Sequence, residues 1–196
     1  MQEAGYKGVM NMIKQKGITL IELMLGIAIF AITVSFAVPN LREFLANNKI
    51  IATTNDFVST LLTARSEAVK QRQTVTICGS TNGTGCNSNS WENGWIAFVD
   101  RNADAAVTAG DSILMVKNQA NSGTTIRSNY FDNADWIQYT SRGVIDSTGT
   151  FKICDQRGTT FAKAININVT GRARLATDDN ASGVFNDSAG GDLTCP

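Results

Sequence analysis

The 196-residue chain contains no histidine. That removes the usual general base near neutral pH and the commonest metal ligand. It also lacks a GxSxG elbow, an HExxH pair, a phosphate loop and a dinucleotide fingerprint. Neither an enzyme nor a bound cofactor is expected. Net charge is missing as well, because 17 basic residues balance 17 acidic ones. Global charge therefore points to neither a nucleic-acid nor a membrane-surface partner. Zinc is disfavoured, since the cysteines form no close pair and have no histidine to join them. No internal repeat and no long linker is visible.

What is present begins with KGITLIELMLGIAIFAITVSFAVPN. Residues 18–38 carry one charge, Glu22. About 20 apolar residues span a bilayer as a helix, and this run is apolar on every face, which disfavours a buried core helix. A removed secretory signal has an apolar core of roughly 7–15 residues followed by a small-residue cut site. Here the well-placed small residue, Gly17, comes before the run, after Lys14 and Lys16. The pattern predicts a short basic leader, a cut after Gly17 and a retained helix. Lysines on that side keep that end cytoplasmic and send the rest outward.

Glu22 needs a reason, because a carboxylate in a membrane helix costs a few kcal/mol and marks function by default. A cut after Gly17 would free an α-amine on Ile18, one helical turn from Glu22. Glu22 could neutralise that amine on its own chain or a neighbour's, although desolvation cancels part of the gain. An intermolecular pair would set the register of packed helices.

GITLIEL resembles the prepilin signature of type IV pilins and type II secretion pseudopilins, and Pro39 matches the proline common there. The resemblance implies a prepilin peptidase that cuts between Gly17 and Ile18 and methylates the new amine. It also implies that Glu22 helps subunits enter a filament. Ile18 departs from the pattern, since most members have Phe. Met10 or Met12 as start would give the short basic leader this family prefers. Removing 1–17 leaves a chain of about −2 charge, long enough for one anchor and one modest domain.

Beyond Pro39, apolar residues keep helical spacing through Leu41, Phe44, Leu45, Phe57, Val58, Leu61, Leu62, Ala68 and Val69. Asn47, Asn48, Lys49, Thr53 and Thr54 weaken the middle. After Gln71 come short β-branched or aromatic runs at 74–78, 95–99, 112–116, 124–128, 136–139, 150–154 and 164–169. Gly, Asn, Asp and Ser separate them, as in antiparallel strands. The expected fold is α+β: one long N-terminal helix, membrane-spanning then amphipathic, packed on antiparallel sheets. The expected divisions are a leader (1–17), a membrane or filament-core helix (18–38), an amphipathic helix (39–72) and a β-rich head (73–196).

Cys78, Cys86, Cys154 and Cys195 make an even count beyond an anchor, which suggests disulfides with three connectivities open. Cys78–Cys86 would staple a Gly/Ser/Asn-rich loop, and Cys154–Cys195 would then tie the tail to a strand. The segment 100–111, DRNADAAVTAGD, partly matches a calcium loop. Ala105 stands where the turn glycine belongs and Asp111 where the bidentate Glu belongs, so a plain hairpin loop is preferred. DDNASGVFND in the tail is a still weaker match.

WENGWIAFVDRNADAAVTAGDSIL, FKICDQRG, GRARL and the terminal LTC together resemble minor pilins of the GspH/FimT family, FimT/FimU-like, over nearly the whole chain. That resemblance implies a helix packed on two sheets and a low-copy subunit in or at the tip of a pilus. The implied partners are other pilins, major and minor, the prepilin peptidase and the inner membrane before assembly. The implied location is the inner membrane, then the cell surface, with the head periplasmic or extracellular. FimT-like members support DNA uptake in natural transformation, and GRARL is similar to their DNA-contacting GRxR motif. This implies Gly171, Arg172 and Arg174 as DNA-binding residues, with Lys163, Arg157 and Lys152 as candidate extensions.

The physical case is that Arg172 and Arg174 share a face if the segment is extended. They would then lie about 6.5–7 Å apart, near the phosphate spacing along a strand of DNA. Arginine's planar fork suits phosphate. The alternative is a solvated pair, or salt bridges to Asp178, Asp179, Asp187 or Asp192. Three functions follow: a DNA-binding minor pilin for uptake, a minor pilin that primes assembly without DNA contact, and a secretion pseudopilin.

Overall fold

The computed structural model describes residues 17–118 and 123–196. The predicted leader, apart from Gly17, lies outside the described residues. The chain forms two compact units, Met1–Glu43 and Phe44–Pro196.

The apolar run folds as predicted into helix α1, Leu20–Gln71. Thr19 caps it: its hydroxyl accepts the Glu22 N–H at 3.3 Å, and its carbonyl accepts the Leu23 N–H at 3.1 Å. Glu22 thus sits in the first turn, where the helix dipole favours a negative charge. Every residue of 17–45 is exposed, including Phe30 at 68% and Phe36 at 70%. By length and composition this part of α1 can cross a membrane.

Pro39 removes one helical hydrogen bond, yet α1 continues. The Asn40 side-chain amide donates to the Phe36 carbonyl at 2.8 Å, an added bond in the turn beside the proline. The polar stretch around Asn47 does not break the helix either. Thr54 turns its hydroxyl back onto the Ile50 carbonyl at 2.7 Å and is buried. Ile50, Phe57, Leu61, Ala64 and Ala68 then form one buried stripe at helical spacing. The helix ends with Arg72 in the left-handed region (φ 55°) and the Gln73 N–H bonded to the Ala68 carbonyl at 3.2 Å. That is a Schellman stop with arginine where glycine is usual.

All seven predicted strands exist, and an eighth follows. They are β1 (Thr74–Gly79), β2 (Gly94–Asp100), β3 (Ser112–Asn118), β4 (Thr124–Asn129), β5 (Trp136–Tyr139), β6 (Gly149–Asp155), β7 (Lys163–Ile167) and β8 (Ala173–Leu175). Two antiparallel sheets form, in the orders β3-β2-β1-β5 and β4-β6-β7-β8. Their inner faces and the buried stripe of α1 share one core. Phe57 stands at its centre, edge-on to Trp91, Trp95 and Phe151 at 5.6, 5.1 and 4.6 Å.

Each sheet also has a small apolar cluster on its other face. Cys78, Ile96 and Phe98 gather with Cys86, Val107 and Trp136 behind the first sheet. This is why β2 reads as an unbroken apolar run, since it is buried on both faces. Behind the second sheet, Cys154, Ala162, Ala164 and Ala176 meet Leu193, Val184 and Phe185 of the tail. The disulfides Cys78–Cys86 and Cys154–Cys195 pin one covering segment each.

Candidate functional site

GRARL lies at the junction of two β-turns. In the first, the Gly143 N–H closes onto the Thr140 carbonyl at 2.8 Å. In the second, the Gly171 N–H closes onto the Asn168 carbonyl at 2.8 Å. The turns are stitched together by three hydrogen bonds. The Ile145 N–H donates to the Val169 carbonyl at 3.2 Å. From α1, Arg65 donates through Nε to the Gly143 carbonyl at 2.8 Å and through Nη2 to the Thr170 carbonyl at 3.0 Å.

Gly171 is buried, with φ +72°, and a Cβ there would collide with the Gly143 carbonyl and lie 3.1 Å from the Tyr139 ring. The position therefore needs glycine for both conformation and space. Tyr139 is fully buried beneath, and its hydroxyl has no hydrogen-bond partner. Burial pushes its phenol far above the ordinary range, with the charge on Arg65 only partly opposing.

The chain leaves this turn into β8, an edge strand. Ala173 and Leu175 pair with Ile167 and Ile165 and share their face. Arg174, opposite Asn166, takes the other face, and Arg172 and Arg174 are both exposed. The ion pairs among the described residues are Lys70–Glu67, Lys117–Asp56, Arg127–Glu92 and Arg157–Asp155, and none uses either arginine. The acidic tail is occupied elsewhere. Asp178 accepts from Ser182 and Gly183, Asp179 from Thr177, Asp187 from Ala189 and Gly191, and Asp192 from Asn180 and Ser182. The salt-bridge alternative is not what the geometry contains.

Lys163 opens β7, three residues before Asn166, which stands opposite Arg174, about 10 Å along the strand. Its ammonium sits 4.6 Å from the centre of the Phe185 ring. Arg157 is also committed: it binds Asp155 at 2.9 and 2.6 Å, reaches Asn47 at 2.7 Å and covers Phe161. Lys152 lies on β6, opposite Ala164.

In the 100–111 loop Asp100 points inward while Asp104 is exposed. Asp100 is fully buried and accepts from the Thr76 hydroxyl at 2.7 Å, the Gln138 amide at 3.0 Å and the Ala105 N–H at 2.9 Å. Asp111 accepts from the N–H groups of Arg101 and Thr108, which hold its carboxyl below the ordinary range.

At the other end of the chain, Gly17, Ile18 and Thr19 lie just outside α1 and are exposed. Gly17 has nothing within 4 Å of where a Cβ would stand.

Comparison with known families agrees with this arrangement. The model of the type II transport protein GspH matches residues 53–171, and that of the prokaryotic N-terminal methylation motif matches residues 12–38. The chain belongs to the GspH family. This is the GspH/FimT group of minor pilins and pseudopilins, structural subunits rather than enzymes. Two crystal structures share the fold. The type IV minor pilin FimU of Pseudomonas aeruginosa aligns with TM-score 0.54 at 22% identity, over 68% of this chain and 92% of that one. The minor pseudopilin EpsH of the Vibrio cholerae type II secretion system aligns with TM-score 0.50 at 10% identity, over 70% and 99%. A comparison with curated protein sequences finds no match.

Sequence reasoning about this GspH-family chain missed Arg65, which reads as one more polar residue on an amphipathic helix. What links it to GRARL is a contact between turns 28 residues apart, Gly143 and Gly171, which no local pattern announces.

Proposed function

We propose that this chain is a minor type IV pilin that binds extracellular DNA weakly through Arg172 and Arg174 and serves DNA uptake in natural transformation. The observation that carries this reading is an exposed, unpaired arginine pair beside a turn that Arg65 and Gly171 hold rigid. The backbone that carries the pair is already fixed, so binding must order only the two side chains. Two phosphate contacts give only a weak, salt-sensitive affinity. Useful capture would come from several subunits acting together.

The N-terminal assignments belong to the same proposal. Prepilin peptidase cuts between Gly17 and Ile18, where the backbone is exposed and non-helical, and methylates the new amine. Residues 18–38 anchor the chain in the inner membrane, then enter the filament core. Glu22 guides that entry, α1 continues to residue 72, and the head (73–196) faces outward.

The test is DNA titration of the full chain in a neutral detergent, read by fluorescence anisotropy of a labelled duplex at 20–200 mM salt. Wild type should bind at low salt with a shallow salt dependence, and Arg172→Ala/Arg174→Ala should lose most of that binding with an unchanged circular dichroism spectrum. A wild-type chain without a low-salt response would sink the DNA reading. A second reading, a secretion pseudopilin, draws on the GspH description of the family model. Loss of protein secretion on deletion would favour it, and loss of transformation with piliation intact would favour uptake.

A further inference from the structure

Arg142 lies on the turn that faces GRARL. It is exposed, and no ion pair or side-chain hydrogen bond among the described residues occupies it. Its neighbour Gly143 touches Gly171, the neighbour of Arg172, so closely that a Cβ on Gly171 would overlap the Gly143 carbonyl. Each arginine is therefore one residue from the same backbone contact. At 3.8 Å per Cα step, this keeps their Cα atoms within roughly 14 Å of each other.

The spacing is also fixed. Arg65 bonds the carbonyls of both turns, and the Ile145 N–H bonds the second from the first. Gly143 itself has φ +73°, and a Cβ there would stand 2.9 Å from Val69 of α1, so this turn too is seated tightly. Arg72 and Arg101 are exposed as well. Among the described residues, however, no hydrogen bond joins their segments to the GRARL turn.

We infer that Arg142 is a third phosphate-contacting residue, making the DNA site a two-turn surface of Arg142, Arg172 and Arg174 rather than a single linear motif. This rests on the DNA-binding reading of the Arg172–Arg174 pair. Three contacts in place of two would steepen the salt dependence of binding to duplex DNA by about 0.9 in log–log slope.

The same full-length chain in neutral detergent decides it, with labelled duplex DNA titrated across salt. The variants are Arg142→Ala, Arg172→Ala/Arg174→Ala and a charge control, Lys49→Ala. Lys49 is exposed and lies about 24 Å along α1 from Arg65. Arg142→Ala should weaken low-salt binding about three-fold or more and lower the slope by about one, with an unchanged melting temperature; Lys49→Ala should do neither. If Arg142→Ala binds like wild type while the double variant loses binding, the inference falls and the two-arginine site stands. If Arg142→Ala and Lys49→Ala lose equally, the effect is net charge and the inference falls. If wild type does not bind at all, both fall together.

Discussion

At the scale of single residues, the chain separates charges that are used internally from charges that are left free. Glu92 is of the first kind. It pairs with Arg127 and accepts the Ile126 N–H, joining the short 3-10 turn Trp91–Asn93 to β4. Burial raises its carboxyl, but Arg127 and the backbone N–H groups outweigh that and hold it below the ordinary glutamate range. A depressed folded value stabilises the fold above the unfolded value of about 4.3 and is lost as pH falls through the folded one. The stability gap between wild type and Glu92→Gln should therefore be widest at neutral pH and close below about pH 4. Denaturant titrations at both pH values measure it, and a pH-independent gap would refute this account. Gly171 shows how much was legible at this scale. A tight turn before the arginines was visible in GRARL, but the reason for glycine is the Gly143 carbonyl and the Tyr139 ring, which come from distant sequence.

At the scale of elements, α1 ends with a flaw that invites repair. Arg72 holds a left-handed conformation that costs a non-glycine residue about 1 kcal/mol or more. Arg72→Gly should relieve this. After allowance for the extra freedom of glycine in the unfolded chain, it should stabilise the protein by about 0.5–1 kcal/mol, read as a higher denaturation midpoint at unchanged slope. A loss of stability would mean that the Arg72 side chain contributes more than its backbone costs.

Elements were also where the sequence was most readable. The period change after Gln71 located seven strands, because alternating β-branched runs between turn residues have few other uses. The eighth, Ala173–Leu175, is only three residues long with an arginine at its centre, too short to show a period of its own. The tail was harder. DDNASGVFND looked at most like a loop of oxygen ligands. In fact Val184 and Phe185 cover the outer face of the second sheet, while Asn186 bonds the Asp179 N–H at 2.6 Å and the Asn166 amide donates to the Asn186 carbonyl at 3.1 Å. Two apolar residues in a polar decapeptide give no periodicity to detect.

At the scale of the whole molecule, the chain combines a fully exposed apolar helix segment with a head whose core is closed. On the proposed function that segment meets first lipid and then other helices, and Glu22, the one charged group in residues 18–38, is tested in assembly. Glu22→Ala should leave the chain stable and membrane-bound but cut its recovery in sheared pili at least several-fold, measured by immunoblot against the cell fraction. Normal recovery would remove the assembly role. Glu22→Asp, one methylene shorter, should recover part of it, because the charge is kept while its reach changes.

The Arg65 clamp has a mechanical consequence. β8 is a three-residue edge strand, and an edge strand pulled at its end unzips one rung at a time. Arg65 changes the load path. Tension applied at Arg172 runs through the Thr170 carbonyl into the guanidinium and from there into α1, alongside the β7–β8 ladder. The helix and the sheet then share the load in parallel, and the turn holds until both anchorages give way at once. The turn that carries Arg172 gains tensile strength from a residue outside it.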